Sequence, residues 1–139
     1  MRQQTREFVL ETQGYGALCF TAPIVDWVRT TSVTTGLLTL HVQHTSASLL
    51  VQENADPEVM RDMERFLQRL VPPGDPLFRH TAEGPDDMPA HVRSALTLTS
   101  VSIPVVDGRP ALGTWQGIYV YEHRSRPHRR VVVAHLFGE

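Results

Sequence analysis

Two hydrophobic periods alternate along this chain and outline its elements. Residues 5 to 12 (TREFVLET) set Phe8 and Leu10 in alternation with Glu7, Val9 and Glu11, which predicts a half-exposed first strand broken by Gly14 and Gly16. From Ala22 to Val33, Ile24, Val25, Val28 and Val33 fall at approximately helical spacing behind Pro23, so a helix is expected there despite its β-branched residues. Residues 36 to 44 (GLLTLHVQH) place Leu38, Leu40, Val42 and His44 on one face of a strand, with Leu37, Thr39, His41 and Gln43 on the other. His44 thus continues the more apolar face. A turn at Thr45 and Ser46 leads into another strand over Ser48 to Glu53. Asp56 and Pro57 then supply an N-cap and a proline at the first helical position. Over residues 57 to 71, Val59, Met63, Phe66, Leu67 and Leu70 make one apolar stripe, the clearest helix in the chain.

That helix stops at Pro72-Pro73-Gly74. The polar stretch 72 to 87, with its PPGDP and EGPDD segments, is long enough to predict a functional loop. Asp87 is the expected cap of a short helix through about residue 96, carrying His91, Ser94 and Ala95 on neighbouring faces. Residues 99 to 106 are expected to pair with 112 to 122 across Asp107-Gly108, and 130 to 137 forms a last strand after an arginine-rich turn at 124 to 129. The pattern is α+β. Without repeats or a linker, 139 residues suit a single domain, because each of two cores would be too small to hold itself together.

Composition narrows the chemistry. No run approaches the roughly 20 apolar residues of a membrane-spanning helix, and the polar N-terminus has no signal-peptide core, so a cytoplasmic location is expected. The single cysteine, Cys19, excludes a disulfide framework within one chain and reads as a buried structural thiol between Leu18 and Phe20. Lysine is absent: all 13 cationic residues are arginine, which removes Schiff-base chemistry and a P-loop lysine. A net charge of −2 argues against a general nucleic-acid partner.

Four segments remain that could carry chemistry. In Gln43-His44-Thr45-Ser46-Ala47-Ser48 a histidine at a strand end precedes a turn of small polar residues, able to offer hydroxyls and N–H groups to an anion or simply to close the strand. From His80 to His91 two histidines bracket Glu83, Asp86 and Asp87, suited to a divalent metal, to acid–base work, or to a solvated acidic loop. In Gly113-Thr114-Trp115-Gln116-Gly117, Trp115 shares a face with Tyr119 and Tyr121, reading as core or subunit interface ahead of substrate stacking. Gln116 is left as a polar group that needs a partner. Finally, Arg124, Arg126, Arg129 and Arg130 crowd a turn with His123 and His128, and read as a solvated tip before a phosphate site.

The ordered blocks HTSASLLVQENADP, RHTAEGPDDMPAHVRSAL, SIPVVDGRPALGTWQGIYVYEHR and RRVVV resemble the YjbQ-like family across nearly the whole chain. The resemblance implies a sandwich of mixed, largely antiparallel β-sheet with two to three helices, assembled as a homotrimer with pockets near subunit contacts. It also implies a transferase of the secondary thiamine-phosphate synthase type, which joins a pyrimidine diphosphate to a thiazole phosphate and releases pyrophosphate. On that reading His44 and His91 contact metal or substrate oxygens, and Asp87 and Glu83 act as ligand or base. Thr45, Ser46, Ser48, Asn54, His80, Trp115 and Gln116 bind substrate or phosphate. The cofactor is a divalent metal, Mg²⁺ or Zn²⁺, and the partner a small phosphorylated metabolite. Two alternatives use the same pocket: a metal-dependent hydrolase or transferase on another small phosphorylated substrate, and a non-catalytic trimeric metabolite-binding module.

Overall fold

The computed structural model describes residues 1 to 139. In chain order the elements are β1 (Arg2–Glu11), β2 (Gly16–Cys19), α1 (Thr21–Thr30), β3 (Gly36–Val42), β4 (Ala47–Glu53), α2 (Pro57–Leu70), α3 (Asp87–Leu96), β5 (Ser100–Val106), β6 (Arg109–Pro110), β7 (Gln116–Glu122) and β8 (Arg129–Gly138). They form a five-stranded sheet, β1-β8-β3-β5-β6, and a three-stranded sheet, β2-β7-β4, in which every ladder is antiparallel. This is an α+β sandwich. Leu38, Leu40, Val132, Ala134 and Leu136 of the larger sheet share one core with Leu49, Ile118 and Val120 of the smaller, completed by Ile24, Trp27 and Val28 of α1. No helix is long and apolar enough to cross a membrane.

Local chemistry explains most boundaries. The helix α1 ends before Val33 because the hydroxyls of Thr30 and Thr31 donate to the carbonyls of Trp27 and Val28, 2.7 and 2.6 Å away, and Ser32 turns left-handed at φ 61°. The carboxylate of Asp56 caps α2 by accepting from the Glu58 N–H at 2.9 Å, with Pro57 at the first position as the pattern predicts. Only Leu67 of the α2 stripe is buried, while Phe66 and Leu70 stay exposed.

Three expectations are corrected. β5 does not pair with β7: the Asp107-Gly108 turn forms, with φ of 51° and 76°, but closes only the two-residue β6. Pro110 lacks an N–H to extend that ladder, and β5 takes β3 as its main neighbour while β7 runs between β2 and β4. Cys19 is exposed, because in β2 the core-facing position belongs to Leu18 and Cys19 stands opposite Tyr119 on the other face. The helix α3 is capped by Asp86 in place of Asp87, and without a side-chain cap bond, since the Asp86 carboxylate is committed elsewhere.

Candidate functional site

The site assembles where the β3–β4 turn, the 71–86 loop, the first turns of α3 and the segment after β7 meet. Asp87, at the first position of α3, is almost fully buried, and His91 lies one helical turn later on the same face. His80 arrives from the loop and sets its Nε2 2.7 Å from Asp87 Oδ2. His91 sets its own Nε2 3.2 Å from that same oxygen and its Nδ1 2.9 Å from the carbonyl oxygen of Thr45. One ligand atom from each of the three residues lies within 4.8 Å of the others.

Arg124 holds this triad in place. Its Nε donates to Asp86 Oδ2 at 2.9 Å, one Nη to Asp87 Oδ1 at 2.8 Å and the other to the Glu83 carbonyl at 2.8 Å. Ser125 adds its N–H and hydroxyl to Asp86. Burial acts to raise the Asp86 carboxyl pKa, but the Arg124 and Ser125 bonds outweigh it and hold the value down at about 2. Burial opposes ionisation of Asp87 too, and the His80 bond, the neighbouring His91 ring and the Arg124 guanidinium overcome it, keeping Asp87 below the usual carboxylate range.

His44 stands beside this group. Its Nε2 accepts the Val131 N–H at 2.8 Å, so that nitrogen is not available to a metal and the ring proton belongs on Nδ1. Burial first, then the Arg130 guanidinium, lowers the His44 pKa and favours the neutral ring. His44 and His91 line one cleft of about 270 Å³ with Thr45, Ser94 and Thr99. On the other side of the triad, His80 borders a second cleft of about 320 Å³ lined by Pro76, Phe78, Met88 and Pro89.

The other expected site residues fall elsewhere. The Glu83 side chain is exposed, 3.9 Å from Arg124, and contributes its carbonyl instead. Ser46 accepts from the buried Arg130 at 2.9 Å, and Ser48, also buried, lies 2.8 Å from His123 Nε2, so neither hydroxyl reaches a cleft. Asn54 lines a separate hollow with Glu53, Asp56 and Tyr119. Tyr119 and Tyr121 are buried, whereas Trp115 precedes β7 on an exposed turn, closed by Gln116 Oε1 accepting from the Gly113 N–H at 2.8 Å. That bond supplies Gln116 with the partner it needed.

The arginine-rich turn is the largest correction: His123, Arg124 and Arg130 are buried, and only Arg126 and Arg129 of that set are solvated. The buried Glu122 carboxylate draws Arg130 inward and accepts from Thr12 at 2.6 Å. Three of the acids Glu83, Asp86, Asp87 and Glu122 are buried in a lysine-free chain, so arginine is the only permanently charged cation that could pair with them. That was the available signal for Arg124.

Residues 6 to 139 match the family model described as UPF0047 protein YjbQ-like. The chain belongs to the YjbQ-like UPF0047 family. A UPF0047 protein of Synechocystis sp. is 52% identical over 99% of this chain and 94% of its own length. The UPF0047 protein YjbQ of Escherichia coli O157:H7 is 50% identical over 77% of each chain. Among solved structures, a hypothetical protein of Aeropyrum pernix K1 superposes with a TM-score of 0.89 at 34% identity, covering 98% of this chain and 99% of its own. A YjbQ/UPF0047 protein of Clostridium acetobutylicum gives a TM-score of 0.86 at 32% identity, over 95% and 99% of the two chains. The names of these relatives state no activity.

Proposed function

We propose that the protein is a divalent-metal-dependent enzyme of the thiamine-phosphate-synthase type, joining a pyrimidine diphosphate to a thiazole phosphate with release of pyrophosphate. The observation that carries the metal is the His91 ring, held between two acceptors, the Thr45 carbonyl and Asp87 Oδ2. A neutral imidazole has one N–H to give. With that proton donated to Thr45, the Nε2 lone pair meets a carboxylate oxygen, and a cation between them relieves the opposition. A carbonyl that fixes Nδ1–H is also the usual way a histidine ligand is oriented through Nε2. His80 converges on the same oxygen, which favours a metal over a lone proton.

Two imidazoles and one carboxylate suit Zn²⁺ or another transition ion better than Mg²⁺, which prefers oxygen ligands. Bound there, a divalent ion would supply the positive charge that a departing diphosphate needs. The chain's own residues do the rest: His80, Asp87 and His91 hold the ion, Arg124 fixes Asp87, and Phe78, Met88, Pro76 and Pro89 offer an apolar cleft to an organic ring. The half-exposed His80 leaves the centre open to water in the single chain, which favours the second reading, a hydrolase or transferase on another small phosphorylated substrate. Exposed Phe66, Leu70, Leu77 and Trp115 support a homotrimer that would cover apolar surface.

Purified protein incubated with the two precursors and Zn²⁺, Mn²⁺ or Mg²⁺ should form thiamine phosphate and pyrophosphate. Loss of diphosphate without the joined product would favour the hydrolase, and elemental analysis showing equal metal in wild type, Asp87→Asn and His91→Ala would end the metal reading. Light scattering should report three chains; a monomer at micromolar concentration would defeat the trimer.

A further inference from the structure

The cleft shared by His44 and His91 has an unusual inventory of hydrogen-bonding groups. Its lining, His44, Thr45, His91, Ser94, Ala95 and Thr99, contains no carboxylate, so a cationic ligand finds no counter-charge there. It contains no arginine either. The donors are neutral and three have no partner within the chain: His44 Nδ1–H and the hydroxyls of Thr45 and Thr99, whereas the Ser94 hydroxyl is spent on the Ala47 carbonyl at 2.8 Å. No buried side-chain nitrogen or oxygen lacks a partner, so the unpaired His44 Nδ1 is open to solvent.

The His44 proton is fixed by backbone geometry. Val131 N–H points at Nε2 from 2.8 Å, and an N–H can be accepted only by an unprotonated ring nitrogen. The neutral ring therefore carries its hydrogen on Nδ1. Arg130 lies behind the ring with its donors given to Glu122 and Ser46, and its charge, added to burial, works against a second proton on His44.

We propose that this cleft is an oxyanion site in which His44 donates Nδ1–H, with the Thr45 and Thr99 hydroxyls, to the phosphoryl oxygens of a ligand held on the neighbouring metal. His44 is then a substrate-binding donor and not a metal ligand. The inference rests on the metal reading above, because a cleft of neutral donors supplies geometry while the metal at His91 supplies the charge. Binding of a phosphoryl group should consequently require both.

Titration with inorganic pyrophosphate, with Mn²⁺ present or chelated, tests this in the full-length protein. His44→Gln is the informative variant, since the Gln Oε1 can accept the Val131 N–H and keep the strand end closed while no donor remains at the Nδ1 position. Wild type should bind pyrophosphate only with Mn²⁺. His44→Gln should bind Mn²⁺ as wild type does and pyrophosphate on the order of 10-fold more weakly, the worth of one hydrogen bond to a charged group. Thr99→Val, at an exposed position with no fold to lose, should weaken pyrophosphate severalfold. Nitrogen-15 NMR of wild type should show neutral His44 protonated on Nδ1. Equal pyrophosphate affinity in both variants, loss of Mn²⁺ in His44→Gln, or an Nε2–H ring would each overturn the proposal. Absence of Mn²⁺ binding in wild type would bring down the metal reading itself, a separate and separately visible failure.

Discussion

Two assemblies in this fold contain a histidine, a carboxylate, an arginine and a hydroxyl, and they behave oppositely. In the first, Glu64 of α2 accepts from Arg93 at 2.6 and 3.2 Å and from the Tyr121 hydroxyl at 2.8 Å. Arg93 Nε donates to His123 Nδ1 at 3.1 Å, and His123 Nε2 lies 2.8 Å from Ser48 Oγ. Because Arg93 donates to Nδ1, the His123 hydrogen sits on Nε2 and points at the serine. Such a histidine cannot take the serine proton. The Ser48–His123 pair resembles a nucleophile and its base, and the arginine makes it a structural strut. In the second assembly, His91 faces two acceptors and His44 keeps an N–H with no partner in the chain, so groups remain that the proposed ligand could engage. The lesson is that residue type does not distinguish a strut from a site; the count of donors and acceptors does.

Arg93→Met breaks the closed assembly at its centre and carries the largest expected effect. The guanidinium is 1% exposed, stacks over Tyr15 and Tyr121, and is the main counter-charge of Glu64. Removing one partner of a buried pair typically costs about 3 to 5 kcal/mol. Urea unfolding should show a loss of that size, and a change below about 1 kcal/mol would mean that the network is not the strut described.

Asp87→Asn strikes the open assembly in the same way and should read out differently. Its first consequence is in metal binding, where loss of a charged ligand should weaken Mn²⁺ or Zn²⁺ by about 100-fold or more, roughly 2.8 kcal/mol. Calorimetric titration measures it. Equal metal affinity in Arg93→Met and Asp87→Asn would erase the distinction between the two assemblies.

The pH dependence of stability sharpens the comparison further. Burial first, then the Arg93 and Arg130 charges, pushes the His123 pKa down to about 3, against about 6.5 in the unfolded chain. The unfolded chain therefore takes up a proton that the folded one refuses as pH falls below 6.5, so stability is complete above that value and declines from 6.5 towards 3. By pH 5 the loss should be about 2 kcal/mol, with His44 adding in the same direction and the lowered carboxylates, Asp86, Asp87 and Glu122, adding below about pH 4. His123→Gln removes the titrating ring, and its stability should vary less between pH 7 and pH 5 than that of wild type. An unchanged slope in the variant would show that the ring is not held neutral.

Much of this was legible beforehand, and the illegible part has a common cause. The periods of β3 and α2 are clean, and the Asp56-Pro57 signature places the start of α2. His44 at the end of the core-facing row of β3, and Asp87 and His91 one helical turn apart, also follow from local spacing. β2 was missed because four residues opening on Gly16 carry too short an alternation to register. Pairing β5 with β7 failed because a turn dipeptide specifies a reversal but not how far the ladder continues. The burial of Arg124 and His123 was missed for a related reason: both are drawn inward by Asp87 and Arg93 of α3, distant in sequence, which no local pattern reports.

Ser48→Ala carries the smallest expected effect and asks the most pointed question. If His123 only donates to Ser48, the substitution removes one acceptor from a buried N–H and should cost about 1 kcal/mol, near the lower end for a buried group left unpaired. The alanine fills most of the same space on the strand β4, and the ring stays stacked on Tyr121 at 4.8 Å between centroids. Metal affinity and pyrophosphate binding should be unchanged, because Ser48 lines neither cleft. A catalytic serine would give the inverse result, with stability nearly intact and turnover lost by several orders of magnitude. Measured together, unfolding free energy and activity of this one variant decide whether the closed assembly is a strut, as its hydrogen positions require, or a second reactive centre.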